Sequence, residues 1–226
     1  MPEPSLPARD GFKGAIFDLD GVLVDTARYH FLAWKRLAEE LGFDFTEMQN
    51  ERLKGVSRMR SLEILLEIGD LGFNETKKKA LCDRKNQWYI EYIMGLDATS
   101  LLPGALECLS SLQDADVPIA LASASKNASV IVARLQIAPL FRYIVDAAFI
   151  PRAKPAPDIF LNAAKGIHTK PSDAVVFEDA PAGVEAAHAA GMYAVGVGKP
   201  DVLNAAELIV PDLSHLNVQL LFHHIA

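Results

Sequence analysis

The sequence predicts an α/β protein with a doubly wound parallel sheet and an inserted all-helical domain. Short apolar runs without polar alternation are separated by segments of helical periodicity, which is typical of parallel strands covered by helices on both faces. From Thr26 to about Ser100 that alternation stops and only helical periodicity remains. We therefore expect residues 1–25 and 101–226 to form the α/β core and residues 26–100 to form a helical cap domain.

Four apolar runs predict the strands of the core, and four helical patterns lie between or after them. The strands are predicted at Lys13–Leu19, Pro118–Ser123, Ala174–Glu178 and Tyr193–Val197. The helices are predicted at Pro103–Leu112, Asn127–Leu135, Pro157–Lys165 and Ala182–Ala190. Right-handed crossovers between parallel strands then give the doubly wound arrangement. In the insert, apolar side chains such as Phe31, Trp34 and Leu37 recur at helical spacing.

Composition excludes several classes of protein. The 226 residues are 50% hydrophobic and 23% charged, as in an ordinary globular protein of one or two domains. A net charge of −7 weighs against nucleic acid or an anionic membrane as the main partner. Cys82 and Cys108 are too few for a disulfide framework. The proline-rich arm Met1–Asp10 is unlike a signal peptide, and no apolar run approaches ~18 residues, so we expect a cytoplasmic protein.

The ends of the predicted strands and the turns after them carry polar residues suited to metal or phosphate chemistry. Ligands of an open parallel sheet bind beyond the carboxyl ends of its strands. These residues are Asp18 and Asp20 before Gly21, the turn Ala122–Asn127, Lys154 before a predicted helix, and the pair Glu178 and Asp179. Each has an ordinary explanation as well: an Asp-Gly turn, helix capping by Ser125 or Asn127, a solvated lysine, or an N-cap at Asp179.

The joint pattern is more specific than any of its parts. Four carboxylates converging on one cavity would repel each other by several kcal/mol per close pair, and a divalent cation relieves that repulsion. Oxygen ligands with room for water favour Mg²⁺ over zinc, which prefers nitrogen and sulfur. We expect one Mg²⁺ per chain, held among Asp18, Asp20, Glu178 and Asp179.

In this order the four motifs resemble the haloacid dehalogenase superfamily of phosphotransferases, which implies a Rossmann-like core. Segments of the insert and one core turn are similar to those of the β-phosphoglucomutase family. They are Thr26–Trp34, Leu53–Arg58, Arg84–Asn86 and Ala122–Asn127.

The resemblance implies a role for each catalytic residue. Asp18 would be the nucleophile that becomes an aspartyl phosphate, and Asp20 the general acid and base. Ser123 and Lys154, with the backbone N–H of Ala124, would hold oxygens of the phosphoryl group. The metal would be bound by Asp18, the backbone carbonyl of Asp20, Asp179 and, directly or through water, Glu178.

A mutase also needs a second phosphate site, because its intermediate is a bisphosphate. The resemblance places Arg58 there together with Ser125, Lys126 and Asn127, since arginine can bind phosphate bidentately. Further substrate contacts are implied for His30, Trp34, Lys54, Gly55, Val56, Ser57 and Lys85. Each also has an ordinary explanation: Arg58 as an exposed arginine at a helix start, Trp34 as a core tryptophan, and Lys54 and Lys85 as solvated lysines.

The implied activity is interconversion of β-glucose 1-phosphate and glucose 6-phosphate, with glucose 1,6-bisphosphate as activating intermediate. The substrate would be a small sugar phosphate, with no nucleic-acid or membrane partner, and the enzyme a monomer. Two alternatives stay open: a Mg²⁺-dependent sugar-phosphate phosphatase on the same scaffold, and a non-catalytic phosphosugar-binding module. The presence of Asp18, Asp20, Lys154 and Asp179 together argues against the second.

Overall fold

The computed structural model describes residues 11–53, 57–145 and 149–222. They divide into two compact units. One contains the described residues up to Asp25 and from Asp97 onward, and the other spans Thr26–Leu96. The predicted N-terminal arm lies outside the described residues.

The first unit contains a parallel sheet of six strands within the described residues. In chain order these are β1 (Gly14–Phe17), β2 (Ile119–Leu121), β3 (Tyr143–Ile144), β4 (Ala174–Glu178), β5 (Tyr193–Val197) and β6 (Leu208–Val210). Their order across the sheet is β3-β2-β1-β4-β5-β6, and all neighbours are parallel. Strands β2 and β3 therefore lie on one side of β1, and β4, β5 and β6 lie on the other. The strand order reverses between β1 and β4, which is where doubly wound sheets bind their ligands. The predicted doubly wound fold is confirmed.

The helices follow the predicted alternation closely. The second unit contains α1 (Ala27–Glu40), α2 (Glu47–Asn50), α3 (Arg58–Ile68) and α4 (Glu75–Ile93). The first contains α5 (Ala105–Asp114), α6 (Ala128–Arg134), α7 (Asp158–Gly166), α8 (Pro181–Ala189) and α9 (Val218–Leu221). Along the part of the chain that the structure describes, no helix is long and apolar enough to cross a membrane.

Strands β3 and β6 have no counterpart among the predicted strands. They are two and three residues long and form the two edges of the sheet. Such short edge strands bury too few side chains to produce the continuous apolar run that identifies a central strand.

The centre of the sheet is held by β1 and β4, whose residues are all buried. Phe17 and Phe177 are paired in register, and their rings stack with centroids 4.3 Å apart. Because the two strands end together, the residues that follow them emerge at one edge of the sheet.

The second unit is a helical bundle in which α4 packs against both α1 and α3. Its buried side chains include Trp34 and Leu37 of α1, Leu65 of α3 and Tyr89 of α4. The unit ends at Leu96, four residues before the predicted limit at residue 100.

Candidate active site

Two aspartates follow β1 in a tight bend. The backbone N–H of Asp18 still donates to the carbonyl of Phe177 on β4, at 2.9 Å, and so continues the pairing of the two strands. Leu19 is fully buried, and Gly21 has a φ of 78°, which favours glycine. The backbone N–H of Asp20 donates to Oδ2 of Asp18 at 3.0 Å. The bend therefore fixes the Asp18 carboxylate at the end of the strand.

Lys154 joins the ends of β1 and β4. Its Nζ lies 2.6 Å from Oδ1 of Asp18 and 2.5 Å from Oε1 of Glu178. The second Glu178 oxygen accepts the backbone N–H of Ala180 at 2.9 Å. Burial lowers the pKa of Lys154, but the charges of Asp18 and Glu178 outweigh it and raise that pKa above its usual value. Lys154 is thus a largely buried, charged group whose side chain is 12% exposed, and the solvated explanation is wrong.

The acid pair Glu178 and Asp179, at the end of β4, has raised pKa values. Burial raises the pKa of Glu178. Burial, reinforced by the charges of Glu178, Asp18 and Asp20, raises the pKa of Asp179 to about 8. The N-cap of α8 is Ala180, so capping by Asp179 does not explain the residue. The Asp179 carboxylate instead packs against Gly21, where a Cβ would overlap it.

The donor set at this edge suits Mg²⁺. Within the described ranges no three acidic, histidine or cysteine side chains are grouped closely enough to enclose a metal. Mg²⁺ does not need such a cage, since it keeps several waters and is usually bound through one or two carboxylates. Asp18 and Asp179 offer carboxylates of this kind, and a cation bound to them would relieve the repulsion that contributes to the raised pKa of Asp179.

The turn after β2 combines buried and exposed polar groups. Ser123 is 1% exposed and its Oγ accepts the N–H of Ser125 at 3.0 Å. Oγ of Ser125 accepts the N–H of Asn127 at 3.2 Å, while the Asn127 side chain makes no cap hydrogen bond to α6. Ala124 and Lys126 are exposed. Both serine hydroxyls keep an O–H donor for a further partner.

In the helical unit, three of the predicted substrate residues lie together. Nζ of Lys85 is 2.8 Å from Nδ1 of His30 and 4.6 Å from the centroid of the Trp34 ring. Burial, followed by the nearby charge of Arg58, lowers the pKa of Lys85 to about 7. Burial and the charges of Lys85 and Arg58 lower the pKa of His30 to about 3. His30 is therefore neutral near pH 7, and Lys85 is not a solvated surface lysine.

Arg58 opens α3 and lies close enough to this group to influence both pKa values. Ser57 is the N-cap of α3 and accepts the N–H of Arg60 at 3.3 Å. The backbone carbonyl of Arg58 accepts the thiol of Cys82 at 3.8 Å, which ties the start of α3 to α4. The predicted contacts Lys54, Gly55 and Val56 lie outside the described residues.

Tyr89 is a residue of this cluster that the sequence analysis does not assign. Its ring stacks on His30 with centroids 4.0 Å apart, and Nζ of Lys85 lies 5.0 Å from it. The sequence contained a pattern that could have identified Tyr89. Lys85 and Tyr89 are four residues apart on one helix, and His30 and Trp34 are four residues apart on another, so each pair lies on one helix face.

Comparison with known proteins identifies the family of the chain. The sequence model of the haloacid dehalogenase-like hydrolases matches residues 12–191. The chain is 45% identical to β-phosphoglucomutase of Bacillus subtilis over 92% of its length and 93% of the relative, and 32% identical to the phosphorylated carbohydrates phosphatase of Thermotoga maritima over 80% and 82%. The crystal structure of β-phosphoglucomutase from Clostridium difficile superposes with a TM-score of 0.83 at 40% identity, covering 91% and 93% of the two chains. The family model covers most of the chain and most of its sheet, and the chain belongs to the haloacid dehalogenase-like hydrolase family.

Proposed function

We propose that this enzyme interconverts β-glucose 1-phosphate and glucose 6-phosphate through β-glucose 1,6-bisphosphate and an aspartyl phosphate on Asp18. The observation that carries the proposal is the 45% identity to a β-phosphoglucomutase, which extends over 92% of this chain. The identity to the Thermotoga phosphatase is lower, 32% over 80% of this chain. A match of that extent includes the helical unit, where a mutase must differ from a simple phosphatase.

In the first half-reaction an oxygen of Asp18 attacks the phosphorus of the bisphosphate, and the bond from phosphorus to the sugar oxygen breaks. Asp20 gives its proton to that leaving oxygen. In the second half-reaction Asp20 takes a proton from a sugar hydroxyl, whose oxygen then attacks the phosphorus of the aspartyl phosphate. One nucleophile and one acid-base group therefore serve both directions.

Lys154 supplies a fixed positive charge beside the reacting carboxylate. Its Nζ lies 2.6 Å from Asp18, and its raised pKa keeps it protonated throughout the neutral range. Phosphoryl transfer depends mainly on positioning and neutralisation of the phosphoryl oxygens. Ser123 and the N–H of Ala124 would add hydrogen bonds to those oxygens. Mg²⁺ bound by Asp18, Asp179 and the Asp20 carbonyl would neutralise further charge.

The helical unit would hold the phosphate that is not reacting. Arg58 is suited to it because a guanidinium binds phosphate through two parallel hydrogen bonds. Lys85 and His30 lie near enough to Arg58 for its charge to lower their pKa values, so Arg58 and Lys85 form a basic region beside the neutral His30. A dianionic phosphate would neutralise that region.

The decisive experiment supplies each anomer of glucose 1-phosphate with Mg²⁺ and catalytic glucose 1,6-bisphosphate. We expect glucose 6-phosphate from the β anomer alone. Inorganic phosphate as the main product would instead establish the second candidate, a sugar-phosphate phosphatase, which the similarity to the Thermotoga enzyme favours. Asp18→Asn removes the nucleophile and should abolish both activities; unchanged turnover in this variant would exclude the covalent mechanism.

The role of Arg58 can be tested separately. Arg58→Ala should lose about a hundredfold or more of mutase activity, because the second phosphate loses a charged bidentate contact worth about 3 kcal/mol. Hydrolysis of acetyl phosphate, which has one phosphoryl group, should be less affected. Arg60→Ala is the matched control, since Arg60 lies on the same helix and is exposed, with Glu63 and Glu67 as partners. Equal losses in both assays would contradict a second phosphate site at Arg58.

A further inference from the structure

An ion pair joins the residues on either side of the turn that carries Lys154. Nε of Arg152 lies 3.1 Å from both carboxylate oxygens of Asp158, and its Nη2 lies 2.8 Å from Oδ2. Two nitrogens of one guanidinium therefore bind one carboxylate, a geometry that fixes orientation as well as distance. Arg152 precedes Lys154 by two residues, and Asp158 follows it by four.

Among the described residues, the backbone around Lys154 forms few hydrogen bonds of its own. The N–H of Ala156 donates to the carbonyl of Ala153 at 3.0 Å, which closes a turn over Lys154 and Pro155. Pro155 and Pro157 have no N–H to donate. A side-chain bridge across the segment therefore supplies a restraint that the backbone cannot.

The two ends of the bridge differ in how firmly they are held. Asp158 is the first residue of α7, and its side chain is 14% exposed, whereas that of Arg152 is 68% exposed. A negative charge at a helix N-terminus is stabilised by the helix dipole, so Asp158 is the fixed partner. The bridge ties the start of the Lys154 turn to a rigid helix.

We propose that Arg152 is a positioning residue, which through Asp158 fixes the turn that places the Lys154 ammonium between Asp18 and Glu178. The inference rests on the proposed function only in that Lys154 is taken to act on the phosphoryl group. The placement of Lys154 itself is a property of the resting enzyme.

The first test measures placement without using turnover. The full-length protein is treated with acetic anhydride, and acetylation of Lys154 is followed by mass spectrometry. In the wild type the reaction should be slow, because the amine is buried and paired with two carboxylates. In Arg152→Ala it should be several-fold faster, while the exposed Lys165 on α7 reacts as before. An unchanged rate at Lys154 would overturn the proposal, whatever reaction the enzyme catalyses.

The second test measures catalysis. Arg152→Ala should lower kcat of the mutase reaction about tenfold with KM within twofold, since small misplacement of a catalytic group reduces the rate more than the binding of substrate. Arg152→Lys should recover part of the loss. Asp158→Asn should lose about as much, and the double variant should lose no more than either single one. Additive losses, or a change in KM alone, would contradict positioning through this pair.

Arg142→Ala is the matched control. Arg142 is an exposed arginine of the same unit that forms no ion pair with a carboxylate among the described residues. Its removal changes the net charge equally and should leave both Lys154 acetylation and kcat unchanged. If the wild type shows no mutase activity, the proposed function fails while the acetylation result still decides the placement of Lys154.

Discussion

Phe17 on β1 and Phe177 on β4 are register partners whose rings stack at 4.3 Å. Each phenylalanine is followed by an acid, Asp18 or Glu178, and Lys154 contacts both carboxylates. The buried pair of rings thus sets the separation of two charges that one lysine can bridge. Packing in the sheet and electrostatics at its edge are therefore coupled at this point.

Lys154→Met should destabilise the α/β unit as well as inactivate the enzyme. Glu178 is 1% exposed, and without Lys154 it becomes a buried acid lacking its cation, a change that costs about 3–5 kcal/mol of unfolding free energy. Denaturant unfolding measures this loss. The double variant Lys154→Met/Glu178→Gln should recover most of the stability but none of the turnover. Lys165→Met, at an exposed position of α7, is the control. Equal stability of Lys154→Met and Lys165→Met would show that Glu178 does not need the Lys154 cation.

Gly183→Ala should be harmful although it lies in a helix. Alanine in place of a helical glycine normally stabilises by about 1 kcal/mol. Here a Cβ on α8 would overlap the carboxylate of Glu178 and push it away from Lys154. We expect lower thermal stability and reduced kcat. Gly72→Ala is the comparison, since nothing lies within 4 Å of its added Cβ. A stabilised and fully active Gly183→Ala enzyme would show that Glu178 tolerates displacement.

The stability of the helical unit should increase with pH over two ranges. His30 has its pKa lowered from 6.5 to about 3, so the unfolded chain binds the extra proton between those values, and stability is lost as pH falls through them. Lys85 has its pKa lowered from 10.5 to about 7, so its penalty is complete below pH 7 and disappears as pH rises towards 10.5. The Lys85 contribution is on the order of 5 kcal/mol.

Tryptophan fluorescence isolates this effect, because both tryptophans, Trp34 and Trp88, lie in the helical unit. Urea unfolding followed in this way should show Lys85→Met to be more stable than the wild type at pH 7 by about 1–4 kcal/mol, with little gain from pH 7 to 10. Lys77→Met, an exposed site on the same helix, should keep the wild-type dependence. If Lys85→Met were less stable than the wild type at pH 7, the buried ammonium would not lower the free energy of unfolding.

Mg²⁺ should stabilise the folded enzyme measurably. At a concentration of 100 times its Kd, a ligand that binds only the folded state adds about 2.7 kcal/mol. The thermal midpoint in Mg²⁺ should therefore exceed that in EDTA by several degrees. Asp179→Asn removes one of the crowded carboxylates, so its midpoint in EDTA should rise and its response to Mg²⁺ should shrink. Asp114→Asn, at the exposed end of α5, should behave as the wild type, and an equal Mg²⁺ response in both variants would place the metal elsewhere.

The sequence predicted the central strands because each is buried on both faces and therefore apolar throughout. Edge strands β3 and β6 were missed, since two or three residues carry no such pattern. Asp18 at the end of β1 and the pair Glu178 and Asp179 at the end of β4 were identified as candidate site residues, because charged residues seldom adjoin a fully buried strand. Tyr89 was not assigned, since an aromatic side chain in a helix most often has a structural role.

By itself the sequence determined which residue types stand at the strand ends, and with them the family and the class of chemistry. Only the tertiary structure decided how these groups are paired. Lys154 reaches Asp18 across 136 positions of chain, and Lys85 reaches His30 across 55. Such contacts, and the burial that moves the pKa of Lys85 down and that of Asp179 up, depend on the surroundings that folding creates, which no local pattern encodes.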